Sequence, residues 1–433
     1  MTIHRIAGQC LAFVVGGAVA IQATVIGTNP PAESLTAKRI ARLPIAEQRE
    51  WQDYLDGSER QRRADKESLH AEMEQIGLDE PPAGFSARSM PLDREPSWYA
   101  CYEARHIADV IVSFQTPAGG WGKNIDMSKK ARHPGEAFTS NNLSKFLGKD
   151  DFDRPREPEW NYVGTIDNDA TTTQLKFLAK TINAVGPTNA KAYRSSFAKG
   201  MNYLFEAQFP NGGWPQVWPL EGSYHDAITY NDDAMVNVME LMRGVAEGEI
   251  EYAFVPHETR ERASKSFARG LQCVLATQIK VGGRRTVWPQ QDDALTLEPV
   301  SARNYEPPAQ CTNESASILL MLMNDLPHPS AAEKEAIRAA AAWFRKTAIY
   351  GQSWGQTTEG RRLISTADAG PIWARYYEIG TDRRLFGDRD RSIHDNVNEI
   401  SEERRNHYQW YSADPQRAIV RFESWNKEHA ESK

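Results

Sequence analysis

The sequence predicts a mainly α fold: helical hairpins set in a ring, with long functional loops at their ends. Three observations lead there. Apolar residues recur at helical spacing through most of the chain, while clear strand alternation is rare. A Gly-Gly-Trp loop occurs twice with the same flanks, as Gln115-Thr-Pro-Ala-Gly-Gly-Trp121 and as Gln208-Phe-Pro-Asn-Gly-Gly-Trp214. An acidic hexad follows each loop, and Thr165-Ile-Asp-Asn-Asp-Ala170 matches Thr229-Tyr-Asn-Asp-Asp-Ala234 position for position. A third, degraded copy reads Gln278-Ile-Lys-Val-Gly-Gly, then Trp288-Pro-Gln, then Thr312-Asn-Glu-Ser-Ala316. Each copy is a helix, a Gly-Gly-Trp loop, an acidic cap and a second helix. The period exceeds that of most solenoids, which favours a ring over a long stack.

The elements follow in order. Residues 1–23 have a short basic start (His4, Arg5), an apolar run from Cys10 to Ile21 and Ala18-Val19-Ala20 as a cleavage site. This is the pattern of a secretory signal peptide cut near Ala20–Ala23. The run is broken by glycines and is short for a stop-transfer helix. The mature chain is therefore expected to be secreted, periplasmic or extracellular, with no membrane segment. Residues 24–96 form a charged N-terminal extension, with helices expected over 46–55 and 58–76 before Pro81-Pro82 and Gly84 break the chain.

The main domain is expected over 97–425. It opens with one apolar stripe, Trp98, Cys101, Ile107, Val110, Ile111 and Phe114. A long polar loop then runs to about residue 163, and a loop of that length in a compact domain is usually functional or mobile. Further helices are expected over 170–185, 190–208, 233–246, 260–279, 314–324 and 331–349. Between two of them, Pro210 and Gly212-Gly213 must end a helix. Asn231 and Asp232 are suited to cap the next, in which Met235, Val238 and Met242 recur at helical spacing. The tail, to Tyr411, is aromatic and charged.

Composition bounds the function. The net charge of -7 disfavours a general nucleic-acid partner. Of four cysteines, Cys10 lies in the leader, and Cys101, Cys273 and Cys311 have no metal-ligand spacing. One disulfide or buried free thiols fit them equally. Tryptophans beside Gly or Pro in loops suggest platforms for sugar rings, although tryptophan is more often core.

Asp167, Asn168 and Asp169 precede one helix, and Asn231, Asp232 and Asp233 precede another. Capping is the plain reading of each taken alone. In a ring, equivalent loops lie at the same end, so these oxygens could converge and suit calcium. Arg303, Arg375 and Arg389 each lie beside aromatics or acids in an acidic chain. Arginine grips carboxylates in two-point fashion, while ordinary ion pairing is the plainer alternative. Sugar platforms, calcium-binding acids and carboxylate-binding arginines together point to an acidic polysaccharide.

Several ordered motifs carry a resemblance. Gly119-Gly-Trp-Gly-Lys-Asn124, Thr165-Ile-Asp-Asn168 with Ala170-Thr-Thr-Thr-Gln174, Asn211-Gly-Gly-Trp-Pro-Gln216, Thr229-Tyr-Asn-Asp232, Ala302-Arg-Asn-Tyr-Glu306 and Trp373-Ala-Arg-Tyr-Tyr-Glu378 resemble polysaccharide lyase family 10, the pectate (pectic acid) lyases, over roughly residues 97–411. The resemblance implies an (α/α)3 toroid that cleaves α-1,4-linked polygalacturonate by calcium-dependent anti β-elimination, as a monomer. It implies Asp167 and Arg303 as catalytic residues, Arg303 taking the C5 proton. It implies Asp167, Asn168 and Asp232 as calcium ligands. Arg375, Arg389, Lys123, Trp121 and Trp214 would bind substrate. Asp169 stands where the family commonly has glycine, and the segment from Trp288 to Ala294 departs from its pattern. Arginine is a poor base because it stays protonated, so the C5 proton must be made unusually acidic. The alternatives are a glycoside hydrolase using two carboxylates, or a non-catalytic binder of acidic polysaccharide.

Overall fold

The computed structural model describes residues 24–77, 90–139, 151–152 and 162–430. The expected leader lies outside them. Eleven α-helices occur among the described residues: α1 (Ala37–Ile40), α2 (Ile45–Ile76), α3 (Tyr102–Ser113), α4 (Thr172–Val185), α5 (Lys191–Ala207), α6 (Ala234–Glu247), α7 (His257–Thr277), α8 (Thr312–Asp325), α9 (Ala331–Thr347), α10 (Glu402–Asn406) and α11 (Asp414–Glu428). In the helical repeats, α4, α6 and α8 pack side by side, and α5, α7 and α9 back them. Met235, Val238 and Met242 are fully buried, as their spacing requires.

Two helical expectations change. The extension holds one 32-residue helix, α2, rather than two. Gly57 does not break it, because Trp51 and Leu55 are buried before that point and Leu69 and Met73 after it. Each such side chain contributes roughly 1.5–3 kcal/mol, more than the ~1 kcal/mol a helical glycine costs. Helix α11 was not expected. It packs against α8 and α9 through Ala418, Phe422 and Trp425.

Each Gly-Gly-Trp loop is tied down in the same way. The side-chain amide of Gln115 donates to Gly119 O and to Ser196 O of α5, at 2.8 and 2.9 Å. Gln208 donates to Gly212 O and to Ser266 O of α7, both at 2.9 Å. Gln278 donates to Thr286 O and to Ala336 O of α9, both at 3.0 Å. The tryptophan of each copy turns inward. Trp121, Trp214 and Trp288 donate from the indole to Ile111 O, Leu204 O and Val274 O on the preceding helix. Each tryptophan's carbonyl then accepts from the backbone that leads to the next inner helix, at Thr165, Thr229 and Cys311. Glycine is required by proximity: a Cβ on Gly119 would lie 2.6 Å from Lys199 O, and one on Gly212 would lie 2.2 Å from Arg269 O. In the third copy Gly282 and Gly283 face nothing within 4 Å, so the degradation seen in the sequence is also structural.

The expectation of a mainly α toroid is corrected. The described residues also hold fifteen short strands in six antiparallel sheets. The largest has five strands, ordered Gly27–Thr28, Ser392–His394, Arg384–Gly387, Tyr376–Tyr377 and Gln310–Cys311. Gln352–Thr357 and Gly360–Ser365 form a hairpin. Most of the other strands are two residues long, too short for any period to register in sequence. Two such pairs serve the loops: Gly164–Thr165 with Val217–Trp218, and Ile228–Thr229 with Gln291–Asp292.

The N-terminal extension packs against the loops. Tyr54 donates to Ala207 O at 3.0 Å, and Ser58 accepts from Leu220 N at 2.8 Å. Leu69 and Met73 cluster with Phe138, Tyr162, Val163 and Val217. Asp65 is fully buried and accepts from Gln61 at 2.7 Å. Burial pushes its carboxyl up to about 7, against the opposing pull of Gln61 and Lys199. The native state therefore holds this proton more tightly than the unfolded chain, so the group's contribution is present below pH ~4 and is lost as pH rises through about 7. Asp65→Asn should flatten the fall in stability between pH 4 and 7, measured by urea unfolding across that range. Gly212→Ala should cost about 2–4 kcal/mol in the same measurement, and Gly283→Ala about 1.

Candidate active site

The two acidic hexads meet face to face. Their central residues sit in left-handed backbone: Asn168 and Asp232 both have φ 50°, Asp169 has φ 61° and Asp233 has φ 59°. Asn and Asp tolerate that region better than other side chains with a Cβ, which gives this composition a backbone reason as well as a chemical one. The capping expectation is corrected, because neither α4 nor α6 has a side-chain cap bond. The residues face each other instead. Asn231 Nδ2 donates to Asp167 Oδ1 at 3.2 Å and to Asp232 Oδ2 at 2.9 Å. Its oxygen accepts from Gln290 Nε2 at 2.8 Å and Arg375 Nη2 at 3.3 Å, which fixes the orientation of the amide. Asp167 also pairs with the Lys123 ammonium.

Environment separates the two carboxylates. Burial opposes ionisation of Asp167, but Lys123, Arg303 and Asn231 outweigh it and hold the pKa below the ordinary value. Burial and the neighbouring Asp167 push Asp232 up to about 6. His225 lines the same cleft, and burial followed by Lys123 holds its pKa down to about 3, so the ring is neutral at pH 7.

Arginines line the same cleft. Lys123, Asp167, Asn168, Asp232, Arg303 and Arg389 all line one cleft of about 440 Å³, and Tyr224, Tyr305, Glu306, Arg404 and His407 line it with them. Three guanidinium groups surround the Tyr305 ring: Arg303, Arg389 and Arg404 lie 5.1, 5.6 and 4.3 Å from its centroid. Glu306 grips Arg303 in two-point fashion, with Nε 2.9 Å from Oε2 and Nη2 2.7 Å from Oε1. Burial opposes the charge on Arg303, but Glu306 overrides it and raises the pKa further. In return Arg303 holds buried Glu306 down to about 2. Glu403 accepts from both Arg389 and Arg404.

A family model described as pectic acid lyase matches residues 115–419. The chain belongs to the pectic acid lyase family. It is a polysaccharide lyase with pectate lyase activity. Among solved structures, a mutant family 10 polysaccharide lyase from Cellvibrio cellulosa in complex with trigalacturonic acid is 28% identical, with a TM-score of 0.64 over 79% of this chain and 100% of that one. A second structure of family 10 polysaccharide lyase from Cellvibrio cellulosa is 28% identical, with a TM-score of 0.63 over 78% of this chain and 98% of that one. A comparison with curated proteins finds no match.

Three of the substrate-binding residues expected for a pectic acid lyase stand elsewhere. Trp121 and Trp214 are 0% exposed, so both belong to the core and neither is a sugar platform. Arg375 does not line the cleft. It is buried behind Asn231, paired with Glu314 at 2.5 Å and 4.8 Å from the Tyr408 ring centroid. It bonds the Asn231 oxygen, and its charge also acts on Asp232 and Glu306. Reading the sequence missed Arg404, Glu306, Glu403, Tyr305 and His225. The Glu306 signal was present, three residues after Arg303 within the quoted motif. Cys101, Cys273 and Cys311 are free.

Among the described residues no group of three or more His, Cys, Asp or Glu is placed to hold a metal. The donors that are present still suit a hard cation. Asp167 and Asp232 converge on one amide nitrogen, Lys123 already brings a positive charge to Asp167, and Asn168 lines the same cleft. Arg375→Ala should destabilise the fold by about 3–5 kcal/mol by stranding buried Glu314. The check is chemical denaturation of the variant beside the wild type.

Proposed function

We propose that this pectate lyase cleaves α-1,4-linked polygalacturonate by calcium-dependent anti β-elimination. One observation carries the reading: a single cleft is lined by a carboxylate pair, Asp167 and Asp232, and by the arginines Arg303, Arg389 and Arg404. Trigalacturonic acid bound to the solved relative supports the substrate class. A polyuronate presents one carboxylate per sugar to the guanidinium groups. Asp167, Asp232 and Asn168 would hold calcium, and two carboxylates with one amide leave coordination positions for the substrate carboxylate. When bound, calcium would withdraw charge from that carboxylate and acidify the adjacent C5 hydrogen.

Arg303 takes the C5 proton. The C5–H electron pair becomes the C4–C5 double bond, the C4–O bond breaks, and the leaving oxygen takes a proton from water. Glu306 occupies Nε and Nη2 of Arg303, and Nη1 has no hydrogen-bond partner among the described residues. That nitrogen is the atom offered to the substrate. At pH 8 an ordinary arginine loses its proton at a cost of about 6 kcal/mol, and Glu306 adds to this cost. The positive charges of Lys123, Arg389 and Arg404 offset part of it. Lys123 and Arg389 bind substrate carboxylates beside it. Residues 97–425 are the catalytic unit, and residues 1–23 direct secretion of a monomer.

The test is incubation with polygalacturonate, followed by ultraviolet absorbance of the unsaturated product. A chelator should stop the reaction and calcium should restore it. Arg303→Ala should lower kcat by at least ~10³-fold. For the wild type, log kcat/KM should climb with unit slope beyond pH 10. A plateau above pH 6 would instead assign the proton to Asp232.

A further inference from the structure

We propose that Asn29, in the N-terminal extension, is a positioning residue for Arg303. The inference rests on the reading of Arg303 as the proton acceptor. Asn29 lies outside residues 115–419, so the family pattern does not contain it.

The extension crosses behind the turn that carries Arg303. Asn29 Nδ2 donates to Arg303 O at 3.1 Å, Asn304 O at 3.0 Å and Glu306 O at 3.2 Å. Asn29 is buried, and its Oδ1 has no partner among the described residues. The donor end alone therefore orients the amide. Three carbonyl dipoles pointing at one buried spot repel each other unless a donor occupies it. Asn29 supplies that donor. Two of the carbonyls belong to Arg303 and Glu306, the residues whose side chains form the guanidinium–carboxylate pair in the cleft.

The same stretch also holds the Arg389 loop. Asn29 N donates to Arg391 O at 2.8 Å, and Gly27–Thr28 pairs with Ser392–His394. Asn304 Nδ2 donates to Arg389 O at 2.7 Å, and Ser301 Oγ bonds Pro30 O. Residues 27–30 thus join the Arg303 turn to the Arg389 loop, two pieces of the arginine-lined cleft that are far apart in sequence. Transition-state contacts tolerate little displacement, and a shift of 1 Å is enough to cost about 10²-fold in rate.

The experiment measures kcat, KM and folded fraction for Asn29→Ala, Asn29→Ser, Asn29→Asp and Arg39→Ala. Arg39, elsewhere in the extension, pairs with Glu33 and with Asp293 of the main domain and serves as the structural control. Asn29→Ala should lower kcat roughly 10- to 100-fold, with KM within about 3-fold of wild type. Per folded molecule, kcat should rank Asn, then Ser with its single donor, then Asp with none. Arg39→Ala should keep kcat. In an Arg303→Ala background, Asn29→Ala should cause no further loss. If Asn29→Ala does not fold, the Ser and Asp variants decide by rank. Wild-type kcat in folded Asn29→Ala, an absent ranking, or an equal loss in Arg39→Ala would overturn the proposal. Full turnover in Arg303→Ala would sink the underlying base assignment instead. An inactive Arg303→Ala beside a normal Asn29→Ala would sink the positioning role alone.

Discussion

The chemistry of the cleft depends on the amide of Asn231. Its oxygen is held by Gln290 and Arg375, so its nitrogen must face Asp167 and Asp232. Two buried carboxylates that close together would repel each other and resist ionisation. Lys123 and Arg303, with the shared Asn231 donor, hold Asp167 low, while burial and Asp167 leave Asp232 near 6. The amide also links three repeats. Asp167 belongs to the first, Asn231 to the second, and Glu314, which anchors Arg375, to the third. The site is therefore as well ordered as the packing between repeats.

Much of the frame was legible in the sequence, and for definite reasons. Helices α4 to α9 bury a continuous apolar face, so their residues had to recur with the helical period. The repeated Gln and Gly-Gly-Trp showed where the loops lie, but not what their residues do. The glutamines bridge two carbonyls each, and the tryptophans are core pins. Most of the strands escaped because a two-residue strand is defined by its partner, which can be fifty or more residues away. Helix α11 lies beyond the last repeated motif.

The site was legible in part. Asp167, Asn168, Asp232, Lys123, Arg303 and Arg389 do line one cleft. Arg375 resembled them in its aromatic, acidic surroundings, but those neighbours enclose it. Arg404 lies in a stretch rich in charge, where nothing local separates a cleft arginine from a surface one. The charge of residues 24–96 suggests an N-terminal extension or packing arm without a catalytic role. The extension's decisive contacts are single hydrogen bonds such as those of Asn29, and these leave no periodic trace.

The unequal wear of the repeats has a consequence of its own. Descent by duplication would once have made the seams between neighbouring units interchangeable. The seam between the first and second holds Asp167 and Asp232 on one shared amide, while the third unit has open glycines and has turned Glu314 into a buttress for Arg375. Copying thus furnished several equivalent places for chemistry, and specialisation left one as the workplace and another as its foundation.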